Sequence, residues 1–356
     1  MRRFGKRPLG LVFLLALVVG FATFLAGGED VNGQGSALSP GGDSLAGVSA
    51  TIAVTPGSTA VTLAGASTSA TAAPGATVSP TPAPPTPTPF PTPQPPPAGV
   101  SASRLEYHQF ASATLGRTMP YYIFLPPGYD SSPDQRFPVL YMLHGLSGAA
   151  EEWRWYGIVE DAGELMDTGA IQPYIIVLPQ GDQGYWVDQA NGGPQWGKYL
   201  AYDVVGEVDA HFRTLADRDH RAVGGLSMGA NGALQVAMNY SAVFRIAGAH
   251  SLSLHTHADT PAYFGDEAYF DAHDPVHLMA DHPDIARTLT IWIDIGAQDP
   301  YFLQPVESLH QQLIAEGIPL EWHEWPGGHD ATYWTAHLPD YLRFYDRAFA
   351  LAPTGN

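Results

Sequence analysis

Ser227 lies in the pentapeptide GLSMG at 225–229, which has the Gly-x-Ser-x-Gly spacing of an activated serine nucleophile. An apolar run before it predicts a strand, and residues 230–238 (ANGALQVAM) predict a helix. Small residues on either side of the serine allow the tight, strained turn that exposes its hydroxyl between a strand and a helix. The alternative is a glycine-rich turn that carries a solvated serine, and the flanking elements favour the nucleophile.

Two further groups with acid–base chemistry follow Ser227 along the chain. A serine hydroxyl needs a neutral imidazole to accept its proton and a carboxylate to orient that imidazole. His329 lies in the loop PGGHD at 326–330, between a predicted strand at 320–325 and a predicted helix at 331–350. Asp299 comes just after a predicted strand at 289–296. We therefore predict that Ser227, Asp299 and His329 form a catalytic triad.

Each of these assignments has a competitor. Asp294 lies in the same predicted strand as the acid, but inside its apolar alternation, so we favour Asp299. Asp330 is adjacent to His329 and is better explained as the N-cap of the following helix. His323 is a weaker candidate for the base, and Ser147 is a weaker nucleophile because it lacks the strand–turn–helix setting.

The backbone N–H groups of Leu146 and Met228 are candidates for an oxyanion hole. An apolar strand from Phe137 ends in His144-Gly145, and Leu146 follows. A loop of this kind supplies one N–H donor, and the residue after the nucleophile supplies the other. Loss of one such donor typically costs about 3 kcal/mol of transition-state stabilisation.

Together these motifs resemble the Putative esterase family of the α/β-hydrolases over about residues 104–350. That family includes esterase D-like enzymes, feruloyl esterases, enterochelin-esterase-like proteins and the antigen 85 mycolyltransferases. The resemblance rests on YMLHGLSG at 141–148 with EW at 152–153, VLPQGD at 177–182, GLSMG at 225–229, and PGGHD at 326–330 with Trp334 and Leu338. It implies the same nucleophile, acid, base and oxyanion donors. The chain departs from the family at Ala230, at 239–244 (NYSAVF) and at 249–251 (AHS), which weakens any transfer of substrate detail.

Residues 101–356 are predicted to form one domain with an α/β-hydrolase fold, a mostly parallel central sheet with helices on both faces. Residues 174–179 (YIIVLP) are almost wholly apolar, which predicts a strand of a buried parallel sheet. The predicted helices are Trp153–Thr168, Gly197–Arg213, Met228–Tyr240, Pro305–Glu316 and Ala331–Ala350.

The first 100 residues differ from the rest in composition. Residues 1–28 combine a basic start with an uncharged run from Leu9 to Ala26, which predicts a signal peptide or a membrane anchor, and we favour the anchor. Residues 29–100 are rich in Pro, Thr, Ser and Ala and are expected to be a disordered stalk. In both cases the catalytic domain is expected outside the cytoplasm.

Charge and composition exclude several functions. Four of the 16 basic residues precede residue 8, which leaves 12 against 32 acidic residues from residue 101 onward. Such a domain would repel nucleic acid. No glycine motif for a phosphate or dinucleotide is present, and we expect no cofactor. The histidines between 250 and 282 could ligate a metal, but no defined ligand set is evident, so a polar loop or partial cap is favoured and no metal is assigned.

We predict an exported serine esterase that acts on acyl or phenolic esters of carbohydrates through an acyl-enzyme. Tyr185, Trp186, Trp196 and Trp334 are candidate substrate-binding residues, because aromatic rings can stack on sugar or phenolic rings. Ordinary packing is the alternative for these rings. An acyltransferase of the antigen 85 type is the alternative function within the same chemistry. A non-catalytic surface-binding module is the alternative from another class, and the complete triad argues against it.

Overall fold

The computed structural model describes residues 102–352, which are built around one eight-stranded sheet. The strands are β1 (Arg104–Ser112), β2 (Arg117–Leu125), β3 (Val139–Leu143), β4 (Ile175–Pro179), β5 (Arg221–Ser227), β6 (Ile246–Leu252), β7 (Thr290–Gly296) and β8 (Glu321–Trp325). Their order across the sheet is β1-β2-β4-β3-β5-β6-β7-β8. β2 is antiparallel to β1 and β4, and all pairs from β4 to β8 are parallel. The carboxyl ends of β5, β7 and β8 therefore meet at one edge.

Helices cover both faces of this sheet. They are α1 (Glu152–Trp155), α2 (Ile158–Asp167), α3 (Trp196–Lys198), α4 (Val205–His211), α5 (Met228–Asn239), α6 (Glu267–Asp271), α7 (Pro275–Asp281), α8 (Pro283–Ala286), α9 (Leu303–Ala315) and α10 (Ala331–Ala350). Successive residues of β3 alternate between two apolar cores. One core includes α4, α5, α7 and α9, and the other includes α1, α2 and α10.

The predicted α/β-hydrolase-like fold is confirmed for this part of the chain. The predicted helix Ala331–Ala350 has the observed bounds of α10. The predicted helix Trp153–Thr168 is instead two helices, because Gly157 adopts the left-handed conformation with φ 95° and ends the first of them. The predicted helix Gly197–Arg213 corresponds to α3 and α4, which are joined by a π-helical stretch at Tyr199–Val204.

The hairpin of β1 and β2 is an addition that the sequence analysis did not predict. Along β1 partly buried residues alternate with exposed ones, and polar residues such as His108 lie on the partly buried face. That pattern gives a weak strand signal, because an edge strand needs only one apolar face.

The predicted segments 1–28 and 29–100 lie outside the described residues. Between residues 102 and 352, no helix is both long enough and apolar enough to cross a membrane.

Candidate active site

The turn at Ser227 joins β5 to α5 and holds the serine in a strained conformation. Ser227 has φ 52° and ψ −114°, a combination that non-glycine residues rarely adopt. A Cβ on Gly225 would lie 2.5 Å from the carbonyl group of Gly229, and one on Gly229 would lie 2.5 Å from the carbonyl oxygen of Leu143. Both positions therefore require glycine, and the turn packs directly against the end of β3.

Ser227, His329 and Asp299 form one hydrogen-bonded series at the carboxyl edge of the sheet. His329 Nε2 lies 2.8 Å from Ser227 Oγ, and His329 Nδ1 lies 2.7 Å from Asp299 Oδ2. A carboxylate can only accept, so Nδ1 carries the proton and the neutral ring accepts the serine hydroxyl at Nε2. This arrangement can move a proton from serine to imidazole. The structure thus brings together the three residues that the sequence predicted as a triad.

The environment of Asp299 keeps its carboxylate ionised. Burial alone would raise the pKa of the Asp299 carboxyl, but the hydrogen bond from His329 lowers it below the usual value. The backbone N–H groups of Tyr301 and Phe302 also donate to Asp299 Oδ1, at 2.9 and 3.0 Å. An ionised Asp299 holds the imidazole with its proton on Nδ1.

The competing acid, Asp294, contacts a different histidine, His250. Its carboxylate is fully buried and lies 2.9 Å from Nδ1 of His250. It also accepts hydrogen bonds from Trp292 Nε1 at 2.7 Å and from the Tyr333 hydroxyl at 2.9 Å. These contacts place Asp294 in a buried hydrogen-bond network with His250, Trp292 and Tyr333.

The other competitors are also engaged elsewhere. His323 Nε2 lies 3.0 Å from Glu321 Oε1, and the His323 ring stacks on Trp325. Ser147 is exposed, and its backbone N–H donates to the side chain of Gln183. Asp330 accepts from two N–H groups in the first turn of α10 and is its N-cap, as predicted.

The loop that contains Leu146 is fixed from two sides. His144 Nδ1 lies 2.9 Å from the Gly145 carbonyl oxygen, and His144 Nε2 accepts the Gly181 N–H at 3.0 Å. Burial lowers the pKa of His144, which keeps this ring neutral as the contacts require. Glu152 Oε2 accepts the Gly145 N–H at 2.6 Å. The N–H of Gly145 is thus engaged, and Leu146, the next residue, is exposed.

Burial corrects the prediction for two of the candidate substrate-binding rings. Trp186 and Trp196 are 0% and 1% exposed, so neither offers a face to a ligand. Trp186 fills the space above two glycines, Gly181 and Gly232. Tyr185 is almost buried, and its hydroxyl contacts His255 Nε2 at 3.0 Å. Packing, the alternative explanation, accounts for these residues.

The rings that do surround His329 come from two other elements. Trp334 stands edge-on to His329 at 5.5 Å between ring centres. Phe302 lies 5.1 Å away and Tyr301 6.4 Å away. Tyr301 is half exposed, whereas Trp334 is largely buried. Tyr301 and Phe302 were not among the candidates predicted from the sequence, although both directly follow Asp299-Pro300.

The histidines between 250 and 282 do not converge. His255 contacts Tyr185, His257 contacts the Gly265 carbonyl oxygen, and His277 contacts Asp274. In residues 102–352 no group of three or more His, Asp or Glu side chains is arranged to hold a metal ion. His250 instead contacts Asp294 in the core.

Comparison with known proteins places this site in a family. The sequence profile of the Putative esterase family matches residues 112–345. An esterase of Mycobacterium tuberculosis is 29% identical over 264 residues, which cover 64% of this chain and 56% of that protein. An acetyl esterase of Caldicellulosiruptor saccharolyticus is 24% identical over 60% of this chain and 89% of its own length. A solved ferulic acid esterase superposes with a TM-score of 0.63 at 24% identity, over 69% of this chain and 99% of that structure.

Substitution of the two carboxylates should destabilise the protein to different extents. Asp294→Asn should lower the free energy of unfolding by about 3 kcal/mol, because it places an amide NH₂ among buried donors and removes the charge they solvate. Asp299→Asn should lower it by about 1 kcal/mol or less, because the retained oxygen still accepts the two backbone N–H groups. Urea unfolding of both variants measures the difference. Equal losses would contradict the assignment of Asp294 to the internal network.

Proposed function

We propose that this chain, which belongs to the Putative esterase family, is a serine carboxylic-ester hydrolase. The observation that carries the proposal is the series Asp299–His329–Ser227 on a strained elbow, with both hydrogen bonds of the imidazole at normal lengths. The chain spans 56% of the length of the mycobacterial esterase that it matches.

The geometry supports a two-step reaction. Ser227 Oγ attacks the ester carbonyl carbon while His329 Nε2 takes its proton, and the same nitrogen then protonates the departing alcohol. In the second step, water attacks the acyl-enzyme, His329 takes the proton of that water, and Ser227 leaves with it. Asp299 keeps the ring in the required tautomer and stabilises the imidazolium.

The backbone N–H groups of Met228 and Leu146 are proposed as the oxyanion donors. Met228 is the first residue of α5, where a backbone N–H has no intrahelical acceptor and is free to bind an anion. Leu146 follows Gly145, whose own N–H is bound by Glu152. Two fixed donors that meet the developing negative charge require no reorganisation during the reaction.

Acyl or phenolic esters of carbohydrates are the proposed substrates. The relatives named acetyl esterase and ferulic acid esterase support this class. Tyr301 and Phe302 beside His329 provide apolar surface for a small or aromatic group, and Trp334 packs behind the imidazole ring. The acidic balance of the domain also suits a neutral substrate better than an anionic one.

Ser227→Ala should lower ester hydrolysis by at least about 10³-fold, because between residues 102 and 352 no other hydroxyl lies on a strained strand–helix turn and contacts His329 Nε2. The rate is measured with p-nitrophenyl acetate and methyl ferulate on the full-length chain. Ser253→Ala, which alters a buried serine outside the series, is the matched control and should retain the wild-type rate. Activity that survives Ser227→Ala would refute the proposed nucleophile.

Water is expected to outcompete a sugar hydroxyl for the acyl-enzyme. A lipid acyltransferase must exclude water from the acyl-enzyme, which a long apolar groove for the acyl chain would help it to do. The sequence of the histidine-rich segment after β6 is polar and does not predict such a groove. With a donor ester and millimolar glucose, trehalose or xylo-oligosaccharide, most acyl groups should appear as free acid. If most appear on the sugar, the protein is an acyltransferase.

We also propose that the enzyme works outside the cytoplasm, held by residues 1–28 with residues 29–100 as a stalk. The basic start and the uncharged run after it support this location. After cell fractionation, the intact chain should be found with membranes. A secreted chain that begins between about Gly27 and Gly35 would show a cleaved signal, and an intact chain in the cytoplasm would contradict export.

A further inference from the structure

Ser251 lies beside the proposed base and has no role in the reaction described so far. Its hydroxyl oxygen is 3.2 Å from His329 Nδ1, the nitrogen that also faces Asp299. The residue is fully buried near the end of β6. The Nδ1 proton of His329 therefore has two acceptors, the Asp299 carboxylate at 2.7 Å and the Ser251 hydroxyl at 3.2 Å.

An irregularity in the sheet directs Ser251 toward His329. In the pairing of β5 with β6, Leu226 is opposite His250 and Ser227 is opposite Leu252, so Ser251 is an extra residue next to the nucleophile. Its φ is 54°, a left-handed value that is unusual for serine. A bulge of this kind turns a side chain away from the regular alternation of a strand.

Asp294 holds this strained residue in place. Its Oδ1 accepts the Ser251 N–H at 3.2 Å. The same carboxylate accepts from several buried donors on β6, β7 and α10, namely His250 Nδ1, Trp292 Nε1 and the hydroxyls of Tyr333 and Tyr341. Because all of these groups donate, the carboxylate is a fixed acceptor, and the bulge is anchored to the core.

The remaining contacts of His250 are consistent with that anchor. Its Nδ1 donates to Asp294, so its Nε2 is left to accept the Tyr345 hydroxyl at 2.8 Å. Burial lowers the pKa of His250, which favours the neutral ring that this pattern requires. The network thus ends in Tyr345 of α10, which is fully buried, as are His250, Asp294 and Ser251.

We propose that Ser251 is a positioning residue for His329 in the esterase reaction, an inference that rests on the proposed function. Its hydroxyl oxygen is the second acceptor for the Nδ1 proton. A flip of the imidazole ring would place a carbon against both acceptors, so two acceptors restrain the ring more strongly than one. When His329 Nε2 takes the proton of Ser227, the positive ring binds both acceptors more tightly.

Ser251→Ala and Ser251→Gly test this role on the full-length chain. Both remove the hydroxyl, and glycine also relieves any strain at the positive φ. We expect kcat for p-nitrophenyl acetate to fall about 10-fold in both variants, with KM within about twofold of wild type. Ser253→Ala is the control, because this buried hydroxyl, two residues further on, has no hydrogen-bond partner in the described part of the chain.

A spectroscopic measurement separates positioning from a merely structural role. The Nδ1 proton of His329 gives a downfield proton NMR resonance when it is held by a carboxylate, and Ser251→Gly should shift or broaden it. A kcat within twofold of wild type in both variants, or an unchanged resonance, would overturn the role of Ser251 and leave the proposed function intact. A wild-type chain that neither hydrolyses esters nor reacts with a fluorophosphonate would overturn the proposed function and this inference with it.

Discussion

The close approach of the Ser227 turn to the end of β3 is the constraint on which the rest of the site depends. Gly225 and Gly229 have no room for a Cβ, so β5 and α5 can meet at a sharp angle only with glycine at both positions. The turn then sets where Ser227 Oγ points, and the loops after β7 and β8 bring Asp299 and His329 to it. The parallel order of β5, β6, β7 and β8 is what places those loops at one edge.

The Asp299–His329 pair and the Asp294–His250 pair are chemically alike and differ in their surroundings. Asp299 and His329 lie at the edge, where the imidazole is partly exposed and its second nitrogen meets a hydroxyl that can react. Asp294 and His250 are fully buried, and the second nitrogen of His250 meets a tyrosine inside the core. Because His329 is partly exposed and contacts the Ser227 hydroxyl, the Asp299–His329 pair is suited to proton transfer. Because His250 is buried and contacts Tyr345, the Asp294–His250 pair is suited to a structural role. Ser251 connects the two pairs.

Local patterns in the sequence were sufficient for the elements closest to the chemistry. The elbow, the α10 bounds and the Asp330 cap each follow from a few adjacent residues, and the structure agrees with them. The burial of Trp186 and Trp196 could not be predicted in that way, because it depends on glycines from distant segments that leave space for indole rings. The bulge at Ser251 and the partners of Asp294 likewise arise from contacts between β6, β7 and α10. No local pattern in residues 249–251 predicts the bulge or these contacts.

In the proposed reaction Ser227 is the group that becomes acylated, and His329 activates it. The most direct test is to treat the full-length chain with a fluorophosphonate and to locate the adduct by peptide mass spectrometry. We predict one adduct per chain, on Ser227, and none after His329→Ala, because the hydroxyl then has no base. An adduct on Ser147 or Ser251, or undiminished labelling of Ser227 in the His329→Ala variant, would contradict the claim.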